Sequence, residues 1–200
     1  MYQFFETIRY ENGQLFLLEL HQKRIARTFE LVYGTKPFFD VRELTFDMPK
    51  DVCLHRCRIS YNQTSFSVAF YVYQKMHPKV ISFYNAGDYT YTVKAEDRDF
   101  INNAVTYSKT DDVIFLKNGF LTDSSYANLA FYDGQNWYTP TTCLLNGVKR
   151  QYLLANKKLK EIPIQVADLT HFTQIALINA MRDLADSYEF DLIDGKLFLN

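Results

Sequence analysis

Alternating apolar and polar residues in the first part of the chain predict a small sheet covered by one helix. Two strand-like runs flank "ENGQ", whose Asn-Gly pair is a strong hairpin signal. From about Glu19 to Val32, apolar residues recur at roughly helical spacing, and Gly34 suits a C-terminal cap. Two more strand-like runs lie on either side of "YNQT". We therefore expect an α+β portion that ends near Pro78.

The pattern after Pro78 predicts a second portion built mainly from short strands. "VISFYNAG" and "YTYTVK" predict strands, a short helix follows over about residues 98–107, and the turn signals "KNG" and "YDGQ" separate the strands of a meander. "NGVKRQYLLANKKL" predicts a helix and "EIPIQVADL" a strand. A further helix is expected from a cap at Thr170 to Arg182, before a final hairpin in "FDLIDGKLFLN". The predicted domains are residues 1–78 and 79–200.

Composition and charge narrow the class of protein. Of the 200 residues, 48% are hydrophobic and 16% aromatic, which is enough for a real core. The net charge of −1 comes from acids and bases mixed along the chain, so no patch for nucleic acid or an anionic membrane is predicted. The start of the chain lacks a signal-peptide pattern, and no apolar run could span a bilayer. We expect a cytoplasmic protein with neither nucleic acid nor membrane as a partner.

The cysteines do not predict a metal site. Cys53, Cys57 and Cys143 lack zinc-ligand spacing, although Cys53, His55 and Cys57 would share one face of a strand. Buried reduced thiols are the favoured interpretation.

Lys94 ends a run in which hydroxyl side chains alternate with apolar ones. In "YTYTVK", Thr90, Thr92 and Lys94 would lie on one face of a strand. Taken alone, this pattern is also typical of a strand that meets solvent, where lysines discourage edge pairing. Its interpretation depends on the rest of the chain.

Four further segments, in order, resemble those of a known family. They are "HQKRI" with an H-x-x-R pattern ending at Arg24, "LTDSSYAN" with an acid-x-x-x-x-Asn pattern from Asp123, "LLNGVKR" with L-x-G-[IV]-x-R, and "INAM" at Asn179. Together they resemble the fold-type IV pyridoxal-phosphate enzymes, which include the class IV aminotransferases and 4-amino-4-deoxychorismate lyase. The resemblance covers almost the whole chain and implies a two-domain fold and a homodimer.

The resemblance also implies the roles of the candidate residues. Pyridoxal 5'-phosphate is an aldehyde, so Lys94 would hold it covalently and later move the substrate's Cα proton. Asp123 would keep the ring nitrogen protonated, and Arg24 would bind the phosphate. The other candidates are backbone donors at a helix start and one residue of the same pocket: Gly147, Val148, Lys149 and Asn179.

Two departures from the family pattern stand out. Family members commonly have glutamate where this chain has Asp123, whose reach is one methylene shorter. The chain also begins almost on the "FFETIR" strand, so a short member with an abbreviated N-terminal domain is expected.

The substrate site is predicted from "HRCRISY". Arg56 and Arg58 would share one strand face, opposite His55, Cys57 and Ile59. Two guanidinium groups suit substrate carboxylates, but a solvated face with charges that block edge pairing fits equally well. The favoured function is that of 4-amino-4-deoxychorismate lyase acting on a small amino substrate. An amino acid transaminase and a non-catalytic cofactor-binding protein are the alternatives.

Overall fold

The computed structural model describes residues 1, 3–45 and 47–200. The chain separates into two compact units, Met1–Lys75 with Val93–Asp97 and Met76–Thr92 with Arg98–Asn200. The division at Met76 lies beside the boundary predicted near Pro78. Residues 93–97, which the prediction assigned to the second portion, belong to the first unit. None of the helices in the described ranges is long and apolar enough to cross a membrane.

The first unit is a four-stranded sheet with one helix, and its strand order is β2-β1-β3-β4. The predicted hairpins and helix are confirmed. The elements are β1 (Phe4–Glu11), β2 (Gln14–Leu15), α1 (Leu18–Tyr33), β3 (His55–Tyr61) and β4 (Phe66–Val72).

The core of this unit lies between α1 and one face of the sheet. Ile25 and Phe29 of α1 pack in one apolar cluster with Phe4 and Ile8 of β1. Because side chains alternate along a strand, the residue between Phe4 and Ile8 on the same face is Glu6, which is completely buried. An acid is therefore built into the core side of β1.

The second unit is a sheet of nine strands in the order β10-β9-β8-β11-β12-β13-β5-β6-β7. A further pairing of β7 with β8 closes seven of these strands into a ring. The strands are β5 (Val80–Asn85), β6 (Asp112–Lys117), β7 (Phe120–Ser124), β8 (Asn128–Tyr132), β9 (Trp137–Pro140), β10 (Lys160–Ile162), β11 (Gln174–Ile178), β12 (Ser187–Ile193) and β13 (Lys196–Leu199). The predicted meander and final hairpin are confirmed.

Two predicted helices of the second unit are present, as α2 (Asp99–Ser108) and α3 (Val148–Ala155). The helix predicted from Thr170 to Arg182 is wrong, because the chain forms a short 3-10 helix, Val166–His171, followed by strand β11. The run from Ile175 to Ile178 is buried on both sides of the sheet, and a continuous apolar run has no periodicity that separates helix from strand.

Two predicted strands are also wrong, one in part and one entirely. Of the strand expected in "EIPIQVADL", only Glu161 and Ile162 lie in a strand, at the end of β10; Pro163 follows and has no N–H to continue the pairing. Residues 89–94 form no regular strand. The segment beside Lys94 instead makes one isolated bridge, between Ala95 and Phe4.

Candidate active site

Lys94 lies in the first unit, beside the start of β1. Its carbonyl oxygen accepts a hydrogen bond from the backbone N–H of Phe5 at 3.0 Å. Its Nζ lies 4.5 Å from the centroid of the Phe5 ring, and Cζ of Arg58 lies 4.0 Å from the same centroid. The electron-rich faces of an aromatic ring attract cations, so the lysine amine and the guanidinium both lie against the Phe5 side chain.

Arg56 and Arg58 share one face of β3, as predicted, and both are engaged within the unit. Arg58 donates to Oε2 of Glu96 at 2.5 Å, and Ser60 donates to Oε1 of the same carboxylate at 3.0 Å. The guanidinium of Arg56 lies 5.1 Å from the centroid of the Tyr71 ring. The Arg58 and Glu96 side chains remain about 30% exposed, so a ligand carboxylate can reach this ion pair.

Arg24 is not a solvated helix residue. It is 9% exposed, its Nε donates to Oε1 of Glu6 at 2.8 Å, and a second guanidinium nitrogen donates to the other carboxylate oxygen. Nδ1 of His21 lies 2.5 Å from Oε2 of Glu6. The two acid oxygens thus fix the orientation of the guanidinium, as a bidentate pair does. The predicted contact of Arg24 with a phosphate stays a prediction.

The pKa values of this cluster follow from burial and charge. Burial alone would raise the pKa of Glu6, but Arg24 and His21 together lower it to about 2. Burial lowers the pKa of His21, against the opposing effect of Glu6, and the positive charges of Arg24 and Lys94 lower it further. At neutral pH the cluster is therefore an anionic Glu6 that accepts from a cationic Arg24 and a neutral His21.

Asp123 of β7 is the buried acid of the second unit. Oδ1 accepts from Nδ2 of Asn128 at 2.7 Å, and Oδ2 accepts from the backbone N–H of Leu145 at 2.8 Å. Burial raises its pKa to about 6 in spite of these hydrogen bonds. The positive charge of Arg150 also lowers the pKa of Asp123, but within the described ranges no cation lies at ion-pair distance from this carboxylate. A protonated pyridine nitrogen beside Asp123 would supply such a direct partner.

The start of α3 offers donors for a phosphate. Gly147 precedes the helix, and in the described part of the chain the backbone N–H groups of Val148 and Lys149 have no acceptor. Both residues are buried. Unpaired N–H groups and the positive end of the helix dipole suit an anion. The Lys149 ammonium itself donates to Asp183 at 2.8 Å.

Asn179 lies just after β11, where its amide holds a turn. Its Oδ1 accepts from the backbone N–H of Met181 at 2.9 Å, and its Nδ2 donates to the carbonyl of Tyr126 at 3.4 Å. Asn179 belongs to the same unit as Asp123 and Gly147. Its role in a cofactor pocket stays a prediction.

Several polar residues that contact the candidates were not predicted as site residues, among them Glu6, Glu96 and Asn128. Glu6 had a detectable signal, because it is an acid at a core-facing position of an alternating strand. Asn128 stood in the motif that begins at Asp123, but its contact with Gly147 depends on the folded turn. The pairing of Glu96 with Arg58 joins distant parts of the sequence and left no local signal.

The second unit therefore combines a closed sheet, a buried acid and a helix start with unpaired backbone N–H groups, and the first unit carries Lys94. A sequence model of the class IV amino-transferases matches residues 84–186, just over half of the chain. The chain therefore belongs to the class IV aminotransferase family. Members of this family are pyridoxal-phosphate-dependent lyases and aminotransferases, and the chain is an enzyme of this class.

Several relatives extend the similarity over most of the chain. An uncharacterized protein of Haemophilus influenzae is 36% identical over 188 residues, 92% of this chain and 100% of that protein. A Schizosaccharomyces pombe protein, provisionally named aminodeoxychorismate lyase, is 34% identical over 86 residues, 40% of this chain and 37% of its own length.

Solved structures show the same fold. One from Haemophilus somnus, provisionally named 4-amino-4-deoxychorismate lyase, has a TM-score of 0.84 and 30% identity, and the match covers 92% of this chain and 98% of that chain. A hypothetical aminotransferase from Mycobacterium tuberculosis, solved in a PLP-bound form, has a TM-score of 0.74 and 15% identity over 90% of this chain and 77% of its own.

Proposed function

We propose that this enzyme binds pyridoxal 5'-phosphate and converts 4-amino-4-deoxychorismate to 4-aminobenzoate and pyruvate. Two relatives that are at least 30% identical carry a provisional lyase name, one over most of this chain and one over part of it. The structures from Mesorhizobium loti and Mycobacterium tuberculosis that are named as aminotransferases are 18% identical or less. These similarities support the lyase in preference to the transaminase.

Each proposed role has a matching group. When bound, pyridoxal phosphate supplies an aldehyde and a ring that withdraws electrons. The Lys94 amine is proposed to bind the aldehyde covalently and to move the Cα proton of the substrate. Asp123 is proposed to hold the ring nitrogen in its protonated form. Arg24 and the start of α3 are proposed to bind the phosphate.

The observation that carries the proposal is the pair of cations on Phe5. A reacting amine needs its substrate held beside it, and the substrate proposed here has carboxylate groups. Arg58 lies on the same ring as Lys94 and is balanced by Glu96. Before the substrate binds, Glu96 balances the charge of Arg58. A substrate carboxylate can then take the place of Glu96 at the guanidinium, which would bind the dianion near the amine.

Turnover of 4-amino-4-deoxychorismate tests the reaction. The enzyme loaded with pyridoxal phosphate is expected to release pyruvate and 4-aminobenzoate in equal amounts, with no keto acid added. Lys94→Ala should abolish both products. Lys117→Ala, which removes an amine that donates to the carbonyl of Tyr89, is the control and should retain them. If common amino acids convert the cofactor to its amine form, and no 4-aminobenzoate appears, the enzyme is a transaminase.

Borohydride reduction tests the lysine. After reduction and proteolysis, the pyridoxyl group should lie on the peptide that contains Lys94. A label on Lys149 or on another lysine would contradict the assignment. The homodimer implied by the sequence resemblance is a separate proposal, which sedimentation of the loaded enzyme would test.

A further inference from the structure

Asn128 joins the two ends of the site in the second unit. Its Nδ2 donates to Oδ1 of Asp123 at 2.7 Å and to the carbonyl oxygen of Leu145 at 2.8 Å. Its Oδ1 accepts from the backbone N–H of Gly147 at 3.2 Å. One buried amide thus binds the acid proposed for the ring nitrogen and the turn that precedes the proposed phosphate site.

The orientation of this amide is fixed by its partners. If the side chain were flipped, its oxygen would face the Asp123 carboxylate and the Leu145 carbonyl, and its NH₂ group would face the N–H of Gly147. All three hydrogen bonds would then be lost, because acceptors would meet acceptors and donors would meet a donor. Since Asn128 is buried, water does not replace them at low cost.

The same amide explains the glycine at position 147. The backbone of Gly147 has a φ of −67°, which any residue can adopt, so backbone strain does not require glycine there. A Cβ at this position would instead overlap Oδ1 of Asn128. The turn therefore approaches the amide more closely than a residue with a side chain would permit.

The hydrogen bonds form a closed circuit. Asp123 accepts from the N–H of Leu145, Leu145 accepts from Asn128 through its carbonyl, and Asn128 donates back to Asp123. Gly147 extends the circuit to the first residues of α3. The acid and the helix start are therefore connected by directional contacts through one side chain.

We propose that Asn128 is a positioning residue that couples the placement of the Asp123 carboxylate to the placement of the phosphate-binding turn at Gly147. The inference deepens the proposed function and rests on it for the identity of the ligand. The coupling itself is a property of the folded chain, so it can be measured with and without cofactor.

The first test uses the apoprotein and a double-mutant cycle. Gly147→Ala should lower the melting temperature clearly in the parent chain, because the new methyl group meets Asn128. In an Asn128→Ala background the same substitution should lower the melting temperature much less, since the obstructing amide oxygen is gone. Equal losses in the two backgrounds would overturn the coupling, whatever the enzyme's reaction.

The second test uses the enzyme with pyridoxal phosphate bound. Asn128→Ala is expected to weaken cofactor binding about tenfold or more and to shift the ³¹P resonance of the bound phosphate, although Asn128 is not proposed to touch it. Asn128→Asp keeps the acceptor for Gly147 but puts a second carboxylate against Asp123, so it should perturb the visible absorbance of the cofactor more than the ³¹P resonance.

Thr122→Val is the matched control. Thr122 precedes Asp123 in the chain and is buried. Its hydroxyl donates to the carbonyl oxygen of Phe115 at 2.8 Å and takes no part in the circuit of hydrogen bonds. It should lower stability but leave the ³¹P resonance and the absorbance unchanged. An unshifted ³¹P resonance in Asn128→Ala, or an equal shift in Thr122→Val, would overturn the proposal. Failure of all variants and of the parent to bind cofactor would instead count against the proposed function.

Discussion

Replacing Glu6 by glutamine is the sharpest test of the network around Arg24. The substitution keeps the size of the side chain and removes its charge. In the parent, the buried carboxylate accepts from Arg24 through both oxygens and from His21. In Glu6→Gln, the Arg24 guanidinium remains mostly buried, and its counter-charge is lost. Removing one partner of a buried ion pair is strongly destabilising, by about 3–5 kcal/mol.

The pKa of Glu6 gives an independent magnitude. A fall from the ordinary value of 4.5 to about 2 corresponds to about 3 kcal/mol of stabilisation at neutral pH. Because the folded value is the lower one, this stabilisation is complete well above pH 4.5 and is lost as the pH falls toward about 2. Both arguments predict that Glu6→Gln lowers the free energy of unfolding by about 3 kcal/mol at pH 7.

Hydrogen exchange measured by mass spectrometry is the suitable assay, because peptides from β1 and α1 report on the first unit alone. Their opening free energy should be about 3 kcal/mol lower in Glu6→Gln at pH 7. The parent should also lose stability more steeply than the variant between about pH 5 and pH 3. Near pH 3 the opening free energies of the parent and of Glu6→Gln should therefore differ by less than they do at pH 7.

Glu11→Gln is the control, since Glu11 lies on the same strand and pairs with Arg9 where both side chains are about 30% exposed. A surface pair of this kind contributes about 1 kcal/mol or less. If Glu6→Gln and Glu11→Gln have equal effects, or if the parent and Glu6→Gln respond identically to acid, then the Glu6 carboxylate does not stabilise the unit as argued.

Three further changes separate the proposed roles. Asp123→Asn should keep the cofactor bound but lower kcat at saturating cofactor by at least tenfold, because an amide cannot hold the ring nitrogen in its protonated form; an unchanged kcat would contradict this. Arg24→Lys should weaken cofactor binding about tenfold to hundredfold in a fluorescence titration, since a compact ammonium lacks the planar fork that pairs with Glu6 on one edge and leaves further N–H donors for a phosphate. Arg58→Ala should raise KM for 4-amino-4-deoxychorismate with little effect on kcat, and an equal rise in the Arg56→Ala control would argue against a specific carboxylate site.

Local signals predicted most of the fold. The Asn-Gly and Asp-Gly turns fix short hairpins, because their residues tolerate positive φ, and both Asn12 and Asp194 have it. Helix α1 was predicted from its apolar spacing and from Gly34, whose N–H caps the carbonyl of Glu30. Turns, helix caps and apolar spacing depend on residues close together in the sequence, so the sequence alone predicts them.

The errors arise where tertiary context decides. The segment from Gln174 to Ile178 has the same apolar content as a buried helix, and its position between β8 and β12 makes it a strand. Lys94 was predicted on a strand, but its segment pairs with β1 only at one bridge. In the site, the resemblance supplied the cofactor-binding candidates, and the alternation in "HRCRISY" supplied Arg56 and Arg58. The contacts that Glu6, Glu96 and Asn128 make with these candidates join residues distant in the chain or across a turn.

Strand β1 links the two groups of candidate residues in the first unit. Phe5 carries Lys94 and Arg58 on its ring, and the next residue, Glu6, binds Arg24 and His21. Consecutive side chains on a strand point to opposite faces, so a shift of one residue in the pairing of β1 would exchange these two environments. Seven residue pairs with β3, from Phe4 opposite Tyr61 to Tyr10 opposite His55, fix that register. The proposed amine and phosphate contacts in this unit therefore depend on the register of β1 as well as on the helix that carries Arg24.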